Sequence, residues 1–129
     1  MAEVDSLQVD TSRGGLIIRL HGRGLIERKQ QTIQEIMEVM KEHRATTVLI
    51  DLREVPPPYV FMDRYKIGEL VARHFAGLSI AALVNAAQAG EQKIGTLVAA
   101  NRGVPVQLFT EAARAERWLN QQARPKPVA

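Results

Sequence analysis

Asp51 and Arg53 are the residues best placed for chemistry, because they lie at the end of the mainly apolar segment VLIDLR at 48–53. Side chains two positions apart on a strand project from the same face, so the carboxylate and the guanidinium are expected to pair or to cap the following turn. A nucleophilic aspartate of the phosphatase type would need a second aspartate at position 53, and an arginine stands there. We interpret the two residues as an ion pair or a turn cap and not as catalytic residues.

Other residue types that often catalyse reactions or bind metals are wrongly spaced. His21, His43 and His74 lie far apart and show no metal-ligand spacing to one another or to paired carboxylates. Serine is scarce and none lies in a nucleophile elbow, and Gly22-Arg23-Gly24 lacks the third glycine of a phosphate-binding loop. The sequence therefore predicts no catalytic residue, no metal and no cofactor. An enzymatic alternative stays open, since Asp51 lies where catalysis would sit in an α/β fold.

The composition restricts the partners and the compartment. The 17 basic and 14 acidic residues give a net charge of +3, and they are scattered, so nucleic acid is not expected as a partner. There is no cysteine, which excludes disulfides and thiolate chemistry. The acidic start lacks a signal-peptide core, and the apolar stretch 78–87 is too short to span a bilayer. We expect a cytoplasmic protein without a transmembrane segment.

The hydrophobic pattern predicts an α/β fold. Apolar and polar residues alternate around Leu7 and again over 16–20, and turn residues lie between the two stretches. This pattern indicates an antiparallel hairpin. Helical periodicity follows over 30–43, and the apolar run 46–52 is typical of a strand buried on both faces of a sheet.

The second half repeats the alternation of strand and helix. Helices are predicted over 59–75 and 92–101, and a strand over 78–84. The second helix carries the apolar residues Ile94, Leu97 and Val98, and Gly103 is its expected cap. A strand over 104–109 should lie at a sheet edge because Pro105 cannot donate a ladder hydrogen bond. Thr110 is the expected N-cap of a final helix whose core-facing bulk comes from Trp118 and Leu119.

These elements predict one domain over 1–123, followed by a flexible tail over 124–129. Its fold class is α/β, with a mixed, mainly parallel sheet of about five strands and about four helices. The amino-terminal hairpin supplies the antiparallel part.

The segment 56–65 is the least ordinary part of the surface. Three consecutive prolines precede Tyr59, Val60, Phe61 and Met62, and three of the six aromatic residues lie within these few positions. One interpretation buries Phe61 and Tyr65 in the core and leaves the prolines to fix the helix entry. The other makes the segment an apolar lip that receives a partner helix, a second copy or an acyl chain.

The chain resembles STAS domains (sulfate transporter and anti-sigma factor antagonist), and most closely their SpoIIAA-like branch. The resemblance rests on the order of elements, on VLIDLR at 48–53, on NRGVPVQLFT at 101–110, and on the following Ala115, Trp118 and Leu119. It extends over about residues 7–121. It implies a mixed sheet flanked by helices, similar in outline to CRAL-TRIO lipid carriers, that binds partners or small ligands without catalysis.

One family property does not transfer. The resemblance implies a phosphorylatable serine just after the central strand, but residues 53–62 contain neither serine nor threonine. A serine or threonine phosphorylation switch at that place is therefore impossible. The apolar stretch that replaces it suggests a more hydrophobic partner or ligand.

Two functional hypotheses follow. The first is a non-catalytic regulatory module that binds a protein partner or a second copy, as a homodimer. The alternative is a carrier for an apolar or acidic small ligand, held in a pocket under the 59–75 helix. The residues assigned to the partner or ligand surface are Asp51, Arg53, Pro57, Tyr59, Val60, Met62 and Arg64.

Overall fold

The structure, a computed structural model, describes residues 6–11, 15–22, 29–55 and 61–123. Its strands are β1 (Ser6–Asp10), β2 (Ile17–His21), β3 (Thr47–Glu54), β4 (Ser79–Leu83) and β5 (Val106–Phe109). They form one sheet in the order β1-β2-β3-β4-β5, in which β1 and β2 are antiparallel and the remaining pairs are parallel. The predicted fold class, the hairpin and the edge position of the last strand are confirmed.

Four helices connect and cover the strands. They are α1 (Lys29–Glu42), α2 (Phe61–His74), α3 (Ala86–Asn101) and α4 (Ala112–Ala123). Parallel neighbours joined by right-handed crossovers in sequential order place their connecting helices on one face of the sheet. Accordingly α1, α2 and α3 share one face, and α4, which follows the last strand, lies on the other.

The central strand contributes to a core on each face. Val48 and Ile50 point into the larger core with α1 and with Phe75 at the end of α2. Leu49 points the other way, into a smaller core with Ala115 and Leu119 of α4. This alternation explains why β3 is apolar at consecutive positions: both of its faces are covered.

The structure corrects several predicted boundaries. Helix α3 begins at Ala86, earlier than the predicted 92, because its alanine-rich start favours helix without showing an apolar stripe. Leu97 was expected on the apolar face and is 53% exposed, whereas Val98 and Ala99 are buried. Strand β5 begins after Pro105, at Val106.

The predicted N-cap of α4 is displaced by one residue. The helix begins at Ala112, and Ala115 donates its amide proton to the carbonyl of Glu111 at 3.2 Å. Glu111 therefore occupies the capping position, and Thr110 precedes it. The core-facing assignment of the helix is confirmed for Leu119, which is 9% exposed, and the half-buried Trp118 packs against Phe109 with 5.8 Å between ring centroids.

Gly103 ends α3 in the way the sequence indicates. Its φ of 91° is left-handed. The Gly103 amide donates to the carbonyl of Ala100 at 3.0 Å, and the Val104 amide donates to the carbonyl of Ala99 at 3.1 Å. This pair of bonds is the Schellman motif, which satisfies two carbonyls that the helix end would leave unpaired.

Helix α1 ends in the same motif around an arginine. Arg44 has a φ of 52°, and the Ala45 amide donates to the carbonyl of Met40 at 2.9 Å. A side chain in this region is strained, so Arg44→Gly is expected to raise the free energy of unfolding by up to about 1 kcal/mol, after the greater flexibility of glycine in the unfolded chain is subtracted. Urea unfolding of both proteins measures the difference. A loss of stability above about 0.5 kcal/mol would show that the arginine side chain makes a compensating interaction.

Candidate interaction site at the end of the central strand

Asp51 and Arg53 form the predicted pair at the carboxyl end of β3. The Arg53 Nε donates to Asp51 Oδ1 at 3.0 Å, and Nη2 donates to Oδ2 at 2.8 Å. The Arg53 amide also donates to Oδ1, at 3.1 Å. A two-point guanidinium contact fixes orientation as well as distance, so the arginine head is held in one direction.

The pair is buried on the carboxylate side and open on the guanidinium side. The Asp51 side chain is 8% exposed, and that of Arg53 is 49% exposed. The structure therefore presents an arginine whose position is set by a buried acid and whose remaining surface faces solvent.

A second arginine extends the pair across the sheet. Arg19 lies beside Asp51 in the parallel register of β2 and β3, and its Nε is 3.9 Å from Asp51 Oδ2. Its Nη1 is also 3.6 Å from Asp10 Oδ2 on β1. Charges of alternating sign therefore run across β1, β2 and β3 from Asp10 to Arg53, on the sheet face to which α4 is bound at β3, β4 and β5.

The network changes the acidity of its central member. Burial raises the pKa of Asp51, but the hydrogen bonds and the charge of Arg53, with a smaller contribution from Arg19, outweigh it and hold that pKa below its ordinary value. The hydrogen bond to Asp51 raises the pKa of Arg53 in turn. Asp51 is thus a fixed carboxylate that holds two arginines, and it is unsuited to donate or accept a proton near neutral pH.

The rest of the predicted surface lies at and beyond the next helix. Pro57, Tyr59 and Val60 are outside the described residues. Met62 and Arg64 belong to the first turn of α2, and their side chains are outside the described part of the structure. Of the seven predicted residues, the structure shows a direct contact between Asp51 and Arg53.

Sequence reasoning missed Arg19 as a member of the network. Its alternation with the buried Ile18 and Leu20 placed it on the far face of β2, but pairing it with Asp51 requires the register between two strands that are 26 residues or more apart. That register follows from the complete sheet. No local pattern supplies it.

The helix that follows the pair is anchored to its neighbour. Arg102, just after α3, donates from Nη2 to the Tyr65 hydroxyl at 3.2 Å and to Glu69 Oε2 at 3.4 Å. Its guanidinium carbon also lies 5.6 Å from the centre of the Tyr65 ring. At the other end of α2, Phe75 is 1% exposed. The helix is thus tied to the end of α3 through Tyr65 and Glu69 and is followed by a residue of the larger core, and Tyr65 is only half-buried.

Two further properties of the described residues bear on other functions. No helix in that part of the chain has the length and apolar character needed to cross a bilayer. Within the same residues no group of three or more histidines or acids is arranged to hold a metal ion.

The fold described above agrees with a match to a known family. The family model described as SpoIIAA-like matches residues 16–120. The chain belongs to the SpoIIAA-like family.

Two solved structures share the fold. An anti-sigma factor antagonist from Mycobacterium paratuberculosis matches with a TM-score of 0.62 and 16% identity, over 91% of this chain and 95% of that one. An uncharacterized protein of the DUF3478 family with a SpoIIAA-like fold, from Shewanella loihica PV-4, matches with a TM-score of 0.55 and 17% identity, over 92% and 96%. No protein of curated function matches the sequence significantly.

Proposed function

We propose that the protein is a non-catalytic regulatory module that binds a protein partner or a second copy of itself through the β3–α2 surface. This surface consists of Asp51, Arg53, Pro57, Tyr59, Val60, Met62 and Arg64. The observation that supports it best is Arg53, which is held by the buried Asp51 and is 49% exposed.

A fixed arginine is well suited to recognition. Arginine is enriched among the residues that dominate interface energies, and immobilising a long side chain before binding removes part of the entropy cost of association. Asp51 performs that immobilisation. The neighbouring segment of the sequence is apolar at Tyr59, Val60 and Met62, and we expect these residues to add apolar contact area to the interface.

The sequence of this segment also argues for a constitutive interaction. Because residues 53–62 contain no serine or threonine, phosphorylation of a serine or threonine at the start of α2 cannot switch the surface off. Control of binding would then depend on partner concentration or on a ligand elsewhere on the domain.

The two apolar residues before α2 give the sharpest test. Tyr59→Ala and Val60→Ala are each expected to weaken association about tenfold or more, while the free energy of unfolding changes by less than about 0.5 kcal/mol. Sedimentation velocity measures self-association, and a pull-down with quantified bait measures binding to a different protein.

Leu97→Ala is the matched control, because Leu97 is an exposed apolar residue on α3. It should leave association unchanged. Losses of several kcal/mol in stability for both Tyr59→Ala and Val60→Ala would show that these side chains belong to the core, and would contradict the proposal.

Native mass spectrometry of the freshly purified protein separates this proposal from a ligand carrier with a pocket under α2. Bare monomer or dimer masses support the interaction module. An added small mass that is lost on denaturation supports the carrier, in which case Arg53→Glu and Arg64→Glu should abolish retention of that mass.

A further inference from the structure

The chain leaves β4 and β5 toward opposite faces of the sheet. Helix α3 follows β4 and contributes Ala99 to the larger core, whereas α4 follows β5 and contributes Ala115 and Leu119 to the smaller one. The two strands are parallel neighbours, and the Val84 amide donates to the Phe109 carbonyl at 2.8 Å just where they end. Diverging connections from adjacent parallel strands leave a crevice outside their carboxyl ends, which is where open α/β sheets bind ligands.

A cavity occupies this position, which we call the β4–β5 crevice. Its volume is about 260 Å³. The apolar part of its wall comes from Val84, Ala89, Leu108 and Phe109, and the polar part comes from Gln107, Thr110 and Arg114. At about 30 Å³ for each water-sized group, the volume suits a molecule of about eight to ten heavy atoms, which is well short of a lipid chain.

The polar side of the crevice contains one guanidinium, that of Arg114, which is 72% exposed. Its Nε lies 3.1 Å from Glu111 Oε2, so this carboxylate offsets part of the arginine charge. Both α3 and α4 begin at the crevice, so the amide groups of their first turns add a positive partial charge. An apolar wall beside hydrogen-bond donors of an arginine, a threonine and two helix starts matches a small organic acid.

We propose that the β4–β5 crevice binds a small organic acid, with its apolar body against Val84, Ala89 and Phe109 and its acid group toward Thr110 and Arg114. The site is separate from the β3–α2 surface and does not depend on the function proposed for that surface. It gives the domain a place for a small-molecule signal at the edge of the sheet from which the β3–α2 surface also extends.

The test uses benzoate as the probe, because its nine heavy atoms combine a flat apolar body with one carboxylate. Two-dimensional ¹⁵N–¹H spectra of the whole protein are recorded during a titration with benzoate. We expect saturable shifts of the amides of Val84, Ala89, Phe109 and Thr110, with a dissociation constant on the order of 1 mM. Benzamide, which has the same shape without the charge, should bind about tenfold more weakly.

Two pairs of variants locate the binding. Arg114→Gln should weaken benzoate about tenfold, whereas Arg117→Gln, an exposed arginine on the same helix outside the crevice, should not. Ala89→Leu should block binding by filling the cavity, and Ala87→Leu, on the exposed side of α3, should leave it intact. Absence of saturable shifts, or shifts that Arg114→Gln and Ala89→Leu leave unchanged, would overturn the proposal. Because the spectra also show whether each variant is folded, loss of the fold is distinguished from loss of the site.

Discussion

Phe75→Ala is expected to lower the free energy of unfolding by about 3–5 kcal/mol, the range for removal of a buried aromatic side chain. Phe75 is 1% exposed and belongs to the larger core, where it joins the end of α2 to the sheet. Its removal deletes apolar contacts and leaves a cavity that the close-packed surroundings fill only in part. Equilibrium unfolding in urea measures the loss, provided that the slope of the transition is unchanged.

The control is Leu97→Ala, which truncates an apolar side chain at a position that is 53% exposed. Its cost should stay below about 1 kcal/mol. Equal destabilisation by Phe75→Ala and Leu97→Ala would contradict the burial of Phe75 between α2 and the sheet.

Asp51→Ala is expected to cost about 2 kcal/mol, which is less than the 3–5 kcal/mol for breaking a fully buried ion pair. The substitution removes the acceptor for three Arg53 hydrogen bonds and the partner of Arg19. Both guanidiniums are more than one third exposed, so water recovers part of the lost interaction. The double variant Asp51→Ala/Arg53→Ala should cost less than the sum of the two single variants, because the second substitution removes a group that has already lost its partner.

The destabilisation caused by the single substitution Asp51→Ala should depend on pH. A carboxyl group whose pKa is lowered by folding stabilises the protein above its unfolded pKa of about 3.9, and this contribution disappears as the pH falls toward the folded pKa. The stability difference between the native protein and Asp51→Ala should therefore be constant above about pH 5 and should shrink below about pH 4. A difference that grew on acidification would contradict the lowered pKa of Asp51.

The elements with strong local patterns were predictable. The central strand has apolar residues at consecutive positions because both faces are covered, and Pro105 restricts the last strand to an edge by its missing donor. The Asp51–Arg53 pair follows from the two-residue period of a strand, so it too could be inferred before the fold was known.

Features that depend on distant parts of the chain were not predictable. The contact of Arg19 with Asp51 needs the register of β2 on β3, and the β4–β5 crevice needs the knowledge that α3 and α4 pack on opposite faces. Leu97 shows the reverse error, since an apolar residue at helical spacing was expected to be buried and is 53% exposed. The positive φ of Arg44 could not be read from the sequence either, because the left-handed residue after a helix end is usually a glycine.

The most direct test of the central claim is site-specific photo-crosslinking in living cells, with a benzoylphenylalanine at position 59 and, as the control, at position 97. If the β3–α2 surface binds a partner, position 59 should give a discrete crosslinked species that mass spectrometry identifies as another protein or as a second copy of this chain. Val60→Ala should reduce its yield, and position 97 should give none. Equal crosslinking at both positions, or none at position 59 in a folded protein, would contradict the assignment of the β3–α2 surface as the interaction site.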